Sequence, residues 1–292
     1  MKPLIEQLNE KILVCDGAMG TQLISKGLPQ GESPDYWAIK NSRILSGIHK
    51  AYLDAGADMI TSNTFGANRI KLKRLKLQNK TEQINAQALK IARAACANSA
   101  YVLGDIGPTG EYLKPVGNLD FNDCYNAFLE QARIFESEGA DAIIIETMTD
   151  IEELRAAVMA VKENIKLPLI ACMSFGKTAK GAYRTTSGVS IPQMVQHTLT
   201  AGSDVIGSNC GVDIAGMIEI ISEMRPLGTA FIIAQPNAGD PQLINGQTVY
   251  SQSAEVFARH LAQLIKAGPN IIGACCGSTP EHIKKIREAV EG

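Results

Sequence analysis

No run of about 18 apolar residues, the length a membrane-spanning helix requires, occurs anywhere in the sequence. The first ten residues also lack the apolar core of a secretion signal, because Lys2, Glu6 and Glu10 interrupt them. An excess of one charge is missing too. The 28 basic and 30 acidic side chains leave a net charge of −2, which gives no electrostatic footprint for nucleic acid or anionic lipid. Aromatic residues make up only 5% and Trp37 is the single tryptophan, so no aromatic cage for a quaternary amine is legible. No Gly/Ser-rich or proline-rich linker divides the 292 residues, and the chain reads as one domain over 1–292. Seven cysteines are too few for a disulfide scaffold of this length, and an odd number cannot all pair. These absences point to a cytoplasmic globular protein with free thiols.

What the sequence does contain is alternation. Short runs rich in Val, Ile, Leu and Ala are expected to form strands at Ile12–Ala18, Asp58–Phe65, Tyr101–Gly107, Asp141–Thr147, Leu169–Phe175, Asp204–Cys210, Phe231–Asn237 and Asn270–Cys276. Several are apolar throughout, as in parallel strands covered on both faces. Amphipathic stretches between them predict helices at Ser42–Ala55, Glu82–Asn98, Asn122–Glu138, Ile151–Glu163, Ile191–Ala201, Asp213–Met224, Ala254–Ala267 and Pro280–Val290, with an extra N-terminal turn at Leu4–Asn9. Four strands are preceded by one punctuation: Ala55-Gly56-Ala57-Asp58, Glu138-Gly139-Ala140-Asp141, Ala201-Gly202-Ser203-Asp204 and Ala267-Gly268-Pro269-Asn270. Glycine there permits the left-handed helix cap that turns the chain into the next strand. Eight such units imply an α/β fold, a single (β/α)8 TIM barrel with a short N-terminal helical extension. The competing open doubly wound sheet would carry a Gly-x-Gly-x-x-Gly fingerprint after the first strand, and none is present.

Active sites of such barrels lie at the C-terminal ends of the strands, where this chain places Asp16, Asn63, Thr64, Asp105, Glu146, Cys210, Asn237, Cys275 and Cys276. Cys210 ends the sixth strand and Cys275-Cys276 the eighth, two strands apart, or about 10 Å at roughly 4.8 Å per strand. Inward side chains from that distance can share one metal with bonds of about 2.3 Å to sulfur. Neighbouring strand residues face opposite ways, so Cys275 and Cys276 both ligate only if the strand breaks, and Gly277 lets it do so. Three alternatives compete: a vicinal disulfide, though adjacent α-carbons lie only about 3.8 Å apart, short of the usual disulfide span; buried core thiols, for which a glycine-bounded strand end is a poor place; and a closed structural zinc site, which wants a fourth strong ligand. The four histidines, His49, His197, His260 and His282, fall on expected helices away from this end. Three protein ligands and an open fourth position form the pattern of a catalytic zinc site. Cys15, Cys96, Cys124 and Cys172 read as buried core thiols.

Seven segments occur in order: Asp16-Gly17-Ala18-Met19-Gly20-Thr21, Asn63-Thr64-Phe65, Gly104-Asp105-Ile106-Gly107-Pro108-Thr109, Ile145-Glu146-Thr147, Asn209-Cys210, Gln235-Pro236-Asn237-Ala238-Gly239 and Cys275-Cys276-Gly277. With them the whole chain resembles the zinc-dependent homocysteine S-methyltransferase family, which includes the homocysteine-binding module of cobalamin-dependent methionine synthase and betaine–homocysteine methyltransferase. The resemblance implies Zn2+ on Cys210, Cys275 and Cys276. It also implies a homocysteine site made by Asp16, Gly17, Ala18, Met19, Asn63, Thr64, Glu146 and Asn237. Asp16 and Glu146 would take the substrate ammonium, and the Gly17-Ala18-Met19 turn its carboxylate. The product would be methionine. For the donor, the Gly-Asp-Ile-Gly-Pro-Thr and Asp-Gly-Ala-Met-Gly-Thr segments favour a methylcorrinoid on a separate protein, since the chain holds no folate- or corrinoid-binding domain. S-methylmethionine or S-adenosylmethionine is the alternative, and the missing aromatic cage speaks against betaine. The loop Gly181–Gly188 is expected beside the donor's approach. A non-catalytic zinc-thiolate redox or metal-binding protein would explain the thiols but not Asp16 and Glu146 at the same rim.

Overall fold

The computed structural model describes residues 1–244 and 247–292. Eight parallel strands follow one another around a barrel: β1 (Leu13–Val14), β2 (Met59–Thr61), β3 (Tyr101–Ile106), β4 (Ala142–Met148), β5 (Leu169–Met173), β6 (Val205–Asp213), β7 (Phe231–Asn237) and β8 (Ile271–Ile272). From β2 to β8 each pairs with the next, and β8 pairs with β1. The ring closes where Cys15 bridges Met59 and the Asp58 N–H donates to the Val14 carbonyl at 2.8 Å. All eight expected strands are present. The first, second and eighth are shorter than expected, because the residues after them leave the ladder to build the upper end.

Two apolar shells fill the structure. Inside the barrel lie Leu13, Met59, Leu103, Ile144, Val205, Ile233 and Ile271, joined by Leu4 and Leu8 of the helix Leu4–Leu8. Outside it, Val14, Ile60, Val102, Ile143, Ile145 and Ile206 pack under the surrounding helices. Successive strand residues enter opposite shells, and both shells are apolar. That is why Ile143-Ile144-Ile145 reads as an unbroken run. The helix Phe121–Ser137 buries Cys124, Phe128, Gln131 and Phe135, spaced three or four apart on one face. Gly104 admits this helix, since a β-carbon there would fall 2.4 Å from the Phe135 ring.

The repeated punctuation has two functions. Gly56, Gly139, Gly202 and Gly268 adopt positive φ angles of 97°, 77°, 82° and 92°, as expected for left-handed caps. The side chain two residues later then clamps the preceding strand. Asp58 accepts the Val14 N–H at 2.8 Å, Asp141 that of Val102 at 2.7 Å, Asp204 that of Leu169 at 2.8 Å, and Asn270 that of Ile232 at 3.0 Å. Each even-numbered strand is thereby tied to its odd-numbered predecessor at the end opposite the cysteines.

Other features depart from expectation. The helix expected over Ala254–Ala267 splits into Ala254–Ala258 and Leu261–Ala267, where the Arg259 and His260 N–H groups bond three residues back rather than four. The short helices Gly20–Ser25, Trp37–Lys40 and Arg69–Lys73 were not foreseen. Nor were two hairpins, Gly176–Lys177 with Tyr183–Arg184 and Pro241–Ile244 with Gln247–Tyr250. Among the described residues no helix is long and apolar enough to cross a membrane.

Replacing Asp58 by Ala should leave the Val14 N–H unsatisfied and lower unfolding free energy by about 1–3 kcal/mol. Urea denaturation followed by far-UV circular dichroism measures this, and an unchanged midpoint would refute the clamp.

Candidate active site

The alternation that builds the inner shell also builds the site above it. Counting by twos along the inward face leads from Leu103 to Asp105, from Ile144 to Glu146 and from Ile233 to Gln235. All three polar side chains line a cavity of about 520 Å³ at the C-terminal ends of the strands. Cys210, Cys275 and Cys276 share this lining with Asp16, Gly17, Ala18, Met19 and Asn63.

The sulfurs converge because strand order fails beside them. In the β6–β7 ladder Asn209 pairs with Gln235 and the next partners are Asp213 and Asn237, so residues 210–212 bulge opposite Pro236. Cys210 sits at φ 57°, a left-handed conformation that side chains other than glycine rarely adopt and that concentrates at functional sites. On the other side β8 stops at Ile272. The chain continues as a turn fixed by Cys275 N–H to the Pro236 carbonyl at 2.7 Å and Ala238 N–H to the Cys276 carbonyl at 2.9 Å. Gly277 follows at φ 81°, packed so closely on Tyr250 that a β-carbon would fall 2.1 Å from its ring. Adjacent cysteines thus point to one centre, as expected only for a broken strand.

The three sulfurs lie within 4.8 Å of one another, and those of Cys210 and Cys276 are 3.8 Å apart. Bonds of about 2.3 Å in a tetrahedron put sulfurs about 3.8 Å apart, so the donor set fits a zinc ion in both chemistry and spacing. Hydrogen bonds from Cys210 and Cys275 push the Cys276 thiol down, and the contacts of Cys275 with Cys210 and Cys276 push Cys275 well up.

Carboxylates surround the rest of the cavity. Asp16 is buried and accepts from the Thr61 N–H at 2.9 Å and its hydroxyl at 3.2 Å, yet burial pushes it up to about 7. Burial and then the charge of Asp16 raise Glu146 to about 8. Burial and then Glu146 hold Asp105 well above the usual carboxylate range. Such a site has desolvated its anions ahead of a cationic ligand.

The turn Asp16–Met19 is locked to the cysteine turn. Ala18 N–H donates to Ser278 Oγ at 2.9 Å, and the Tyr52 hydroxyl donates to the Ala18 carbonyl at 2.7 Å. Gly17 must be glycine here, since a β-carbon would fall 2.6 Å from Ser278 Oγ. Two expected site residues stand outside the cavity lining. Thr64 is buried and supports the wall, its hydroxyl donating to the Asp105 carbonyl at 2.7 Å. Asn237 is buried in the ladder opposite Asp213. The loop Gly181–Gly188 contributes nothing to the lining either. Sequence reasoning missed Asp35, Phe65 and Lys71 as lining residues. Lys71 belongs to the basic run Arg69-Ile70-Lys71-Leu72-Lys73-Arg74, which carries the signal of a solvated helix face.

Because burial raises the Glu146 carboxyl from its ordinary 4.5 to about 8, its cost to folding is absent below the lower value, grows as pH rises and is complete above the upper. Glu146→Gln should therefore raise the Tm of metal-free protein relative to wild type at pH 8.5, with the gap closing near pH 4.5. Calorimetry across that range checks the sign, and a gap that widens toward acid would refute it.

The family model for homocysteine S-methyltransferases matches residues 13–290. Among solved structures, the metallated form of the homocysteine methyltransferase MmuM from Escherichia coli superposes with a TM-score of 0.81 at 21% identity, covering 98% of this chain and 99% of that one. A methyltransferase from Methanosarcina mazei gives 0.60 at 12% identity, with 99% and 97% covered. The barrel alone also resembles 3-dehydroquinate dehydratase from Geobacillus kaustophilus, with a TM-score of 0.54 at 12% identity and 97% and 91% covered. At these identities the structures speak for the fold, and the family match speaks for the kinship: this chain belongs to the homocysteine S-methyltransferase family.

Proposed function

We propose that the protein transfers a methyl group from a small sulfonium donor to the thiol of homocysteine, using zinc held by Cys210, Cys275 and Cys276, and releases methionine. The observation that carries this reading is the meeting of three sulfurs within 4.8 Å at the wall of a cavity that Asp16 and Glu146 also line. A free thiol is mostly protonated at neutral pH, whereas the thiolate is the nucleophile. When bound, zinc would supply the Lewis acidity that deprotonates the homocysteine thiol and the open coordination position that holds it.

The chain's own groups do the rest. Asp16 and Glu146 receive the substrate ammonium, and their raised proton affinity falls as that cation arrives. The Ala18 N–H is engaged by Ser278, so the carboxylate-binding role of the turn narrows to Gly17 and Met19. Ser278 and Tyr52 fix that turn against the cysteines and so set the distance between amino-acid end and sulfur. In the transfer, an electron pair of the substrate sulfur forms the new S–CH3 bond. The pair of the breaking CH3–S⁺ bond goes to the leaving sulfur, which departs as a neutral thioether. The thiol proton has already left on binding.

A sulfonium donor is favoured over a methylcorrinoid protein by charge. Among the described residues lining the cavity, Asp16, Asp35, Asp105, Glu146 and three thiols face a single basic residue, Lys71. Those buried carboxyls give up their protons most readily beside a cationic ligand, so the surround selects a small cation. The corrinoid reading does not call for these charges.

A panel of S-methylmethionine, S-adenosylmethionine, betaine and methylcobalamin with homocysteine tests the donor. Turnover with a sulfonium alone is expected, and turnover with methylcobalamin alone would restore the corrinoid reading. Cys210→Ala should lose zinc, assayed by metal analysis, and at least about a hundredfold in kcat/KM, while its far-UV spectrum stays that of a folded barrel. Retained zinc and turnover would exclude Cys210 as a ligand.

A further inference from the structure

The homocysteine reading leaves one buried carboxylate and one buried-stem lysine unused. Asp105 is 5% exposed, and its Oδ1 makes no hydrogen bond among the described residues. The backbone on either side is fixed, with Asp105 N–H donating to Ser62 Oγ at 3.1 Å and its carbonyl accepting from Thr64 Oγ1 at 2.7 Å. The side chain is therefore held toward the cavity it lines. A buried carboxylate without a partner is costly unless a cation or a donor meets it.

Lys71 stands on the same wall. Its Nζ lies 4.4 Å from the centroid of the Phe65 ring, and Phe65 is also a lining residue. Among the described residues Lys71 forms no ion pair within 4.0 Å, although the negative fields of Asp35 and Asp105 act on it. Asp35 is already occupied by the Gly66 N–H at 2.7 Å and the Ser33 hydroxyl at 3.0 Å. An ammonium group resting on an aromatic face with its charge unspent is a receptor for a carboxylate.

We propose that Asp105 and Lys71 form a second subsite in this cavity that binds the amino-acid end of the methyl donor, Asp105 taking its ammonium group and Lys71 its carboxylate. The proposal rests on the sulfonium reading above. Homocysteine brings one ammonium group, and Asp16 with Glu146 already meets it, so a third inward carboxylate faces a second cation. The volume agrees: about 520 Å³ lies in the range that encloses a drug-sized ligand, more than one four-carbon amino acid fills. The donor class is thus an amino-acid sulfonium, with the ammonium and carboxylate setting which sulfonium is accepted and the cavity's negative charge favouring the reacting centre.

Calorimetric titration of the zinc-loaded protein with S-methylmethionine and, separately, homocysteine tests this. Asp105→Asn and Lys71→Met are each expected to weaken S-methylmethionine by about tenfold or more, the loss of one charge-assisted contact, and homocysteine by less than about threefold. In turnover the same variants should raise the KM of S-methylmethionine with little change in kcat. With trimethylsulfonium, which has neither group, KM should move by less than about threefold, the change in cavity charge alone, against the tenfold or more for S-methylmethionine. Lys71→Gln serves as a second, polar variant if Lys71→Met folds poorly. Equal weakening of homocysteine would place the pair in the homocysteine site and overturn the proposal. Wild-type binding of S-methylmethionine with unchanged variants would overturn the proposal alone. Failure of the wild type to bind any sulfonium would remove the donor reading and the subsite together.

Discussion

Three sulfur atoms within 4.8 Å of one another are incompatible with regular strands, and much of the upper barrel follows from satisfying them. Two of the cysteines are adjacent in sequence, so ideal pleating would send one inward and the other outward. The chain resolves this by ending β8 early and by bulging β6 opposite Pro236. Cys210 accepts a left-handed conformation in the process. Such strain persists only when the surroundings over-determine it. The supports are visible: hydrogen bonds between β7 and the cysteine turn, and the Ser278–Ala18 and Tyr52–Ala18 contacts that join this turn to the first loop.

The second organising feature is desolvated negative charge. Asp16, Asp105 and Glu146 lie at one end of a barrel whose interior below them is apolar. Each is raised in proton affinity first by burial, which means the metal-free, ligand-free protein keeps protons where a cation would otherwise sit. Stability is given up at the site, as is common where a fold holds desolvated carboxyls at a cavity wall. The opposite end of the barrel is built the other way. There the Asp and Asn clamps satisfy backbone N–H groups at strand starts, where the fold needs rigidity and no chemistry competes.

The fold was legible because its signals are local and repeated. Apolar runs such as Ile143–Ile145 and amphipathic helices gave the strand and helix order, and four Gly-x-Asp or Gly-x-Asn punctuations marked the turns. Errors fall where local pattern is weak or overridden. Helices of four to six residues such as Trp37–Lys40 bury too few positions to show a period. The bend near His260 changes hydrogen bonding without changing the apolar spacing. β1, β2 and β8 are shorter than expected because no local signal marks where the ladder ends at Val14, Thr61 and Ile272.

For the site, the sequence by itself singled out the three cysteines, Asp16 and Glu146, all of which line the cavity, since glycine-bounded thiols and carboxylates at strand ends have no comfortable place in a core. It could not decide convergence, because distance between segments 65 residues apart depends on barrel closure and on a bulge. Nor could it decide that Thr64 supports the wall while Asn63, its neighbour, lines the cavity, as a one-residue change of direction in a turn leaves no periodic trace. Lys71 shows the limit most clearly. In sequence it is one basic residue among several, and only the packing of the helix Arg69–Lys73 beside Phe65 places it at the cavity wall.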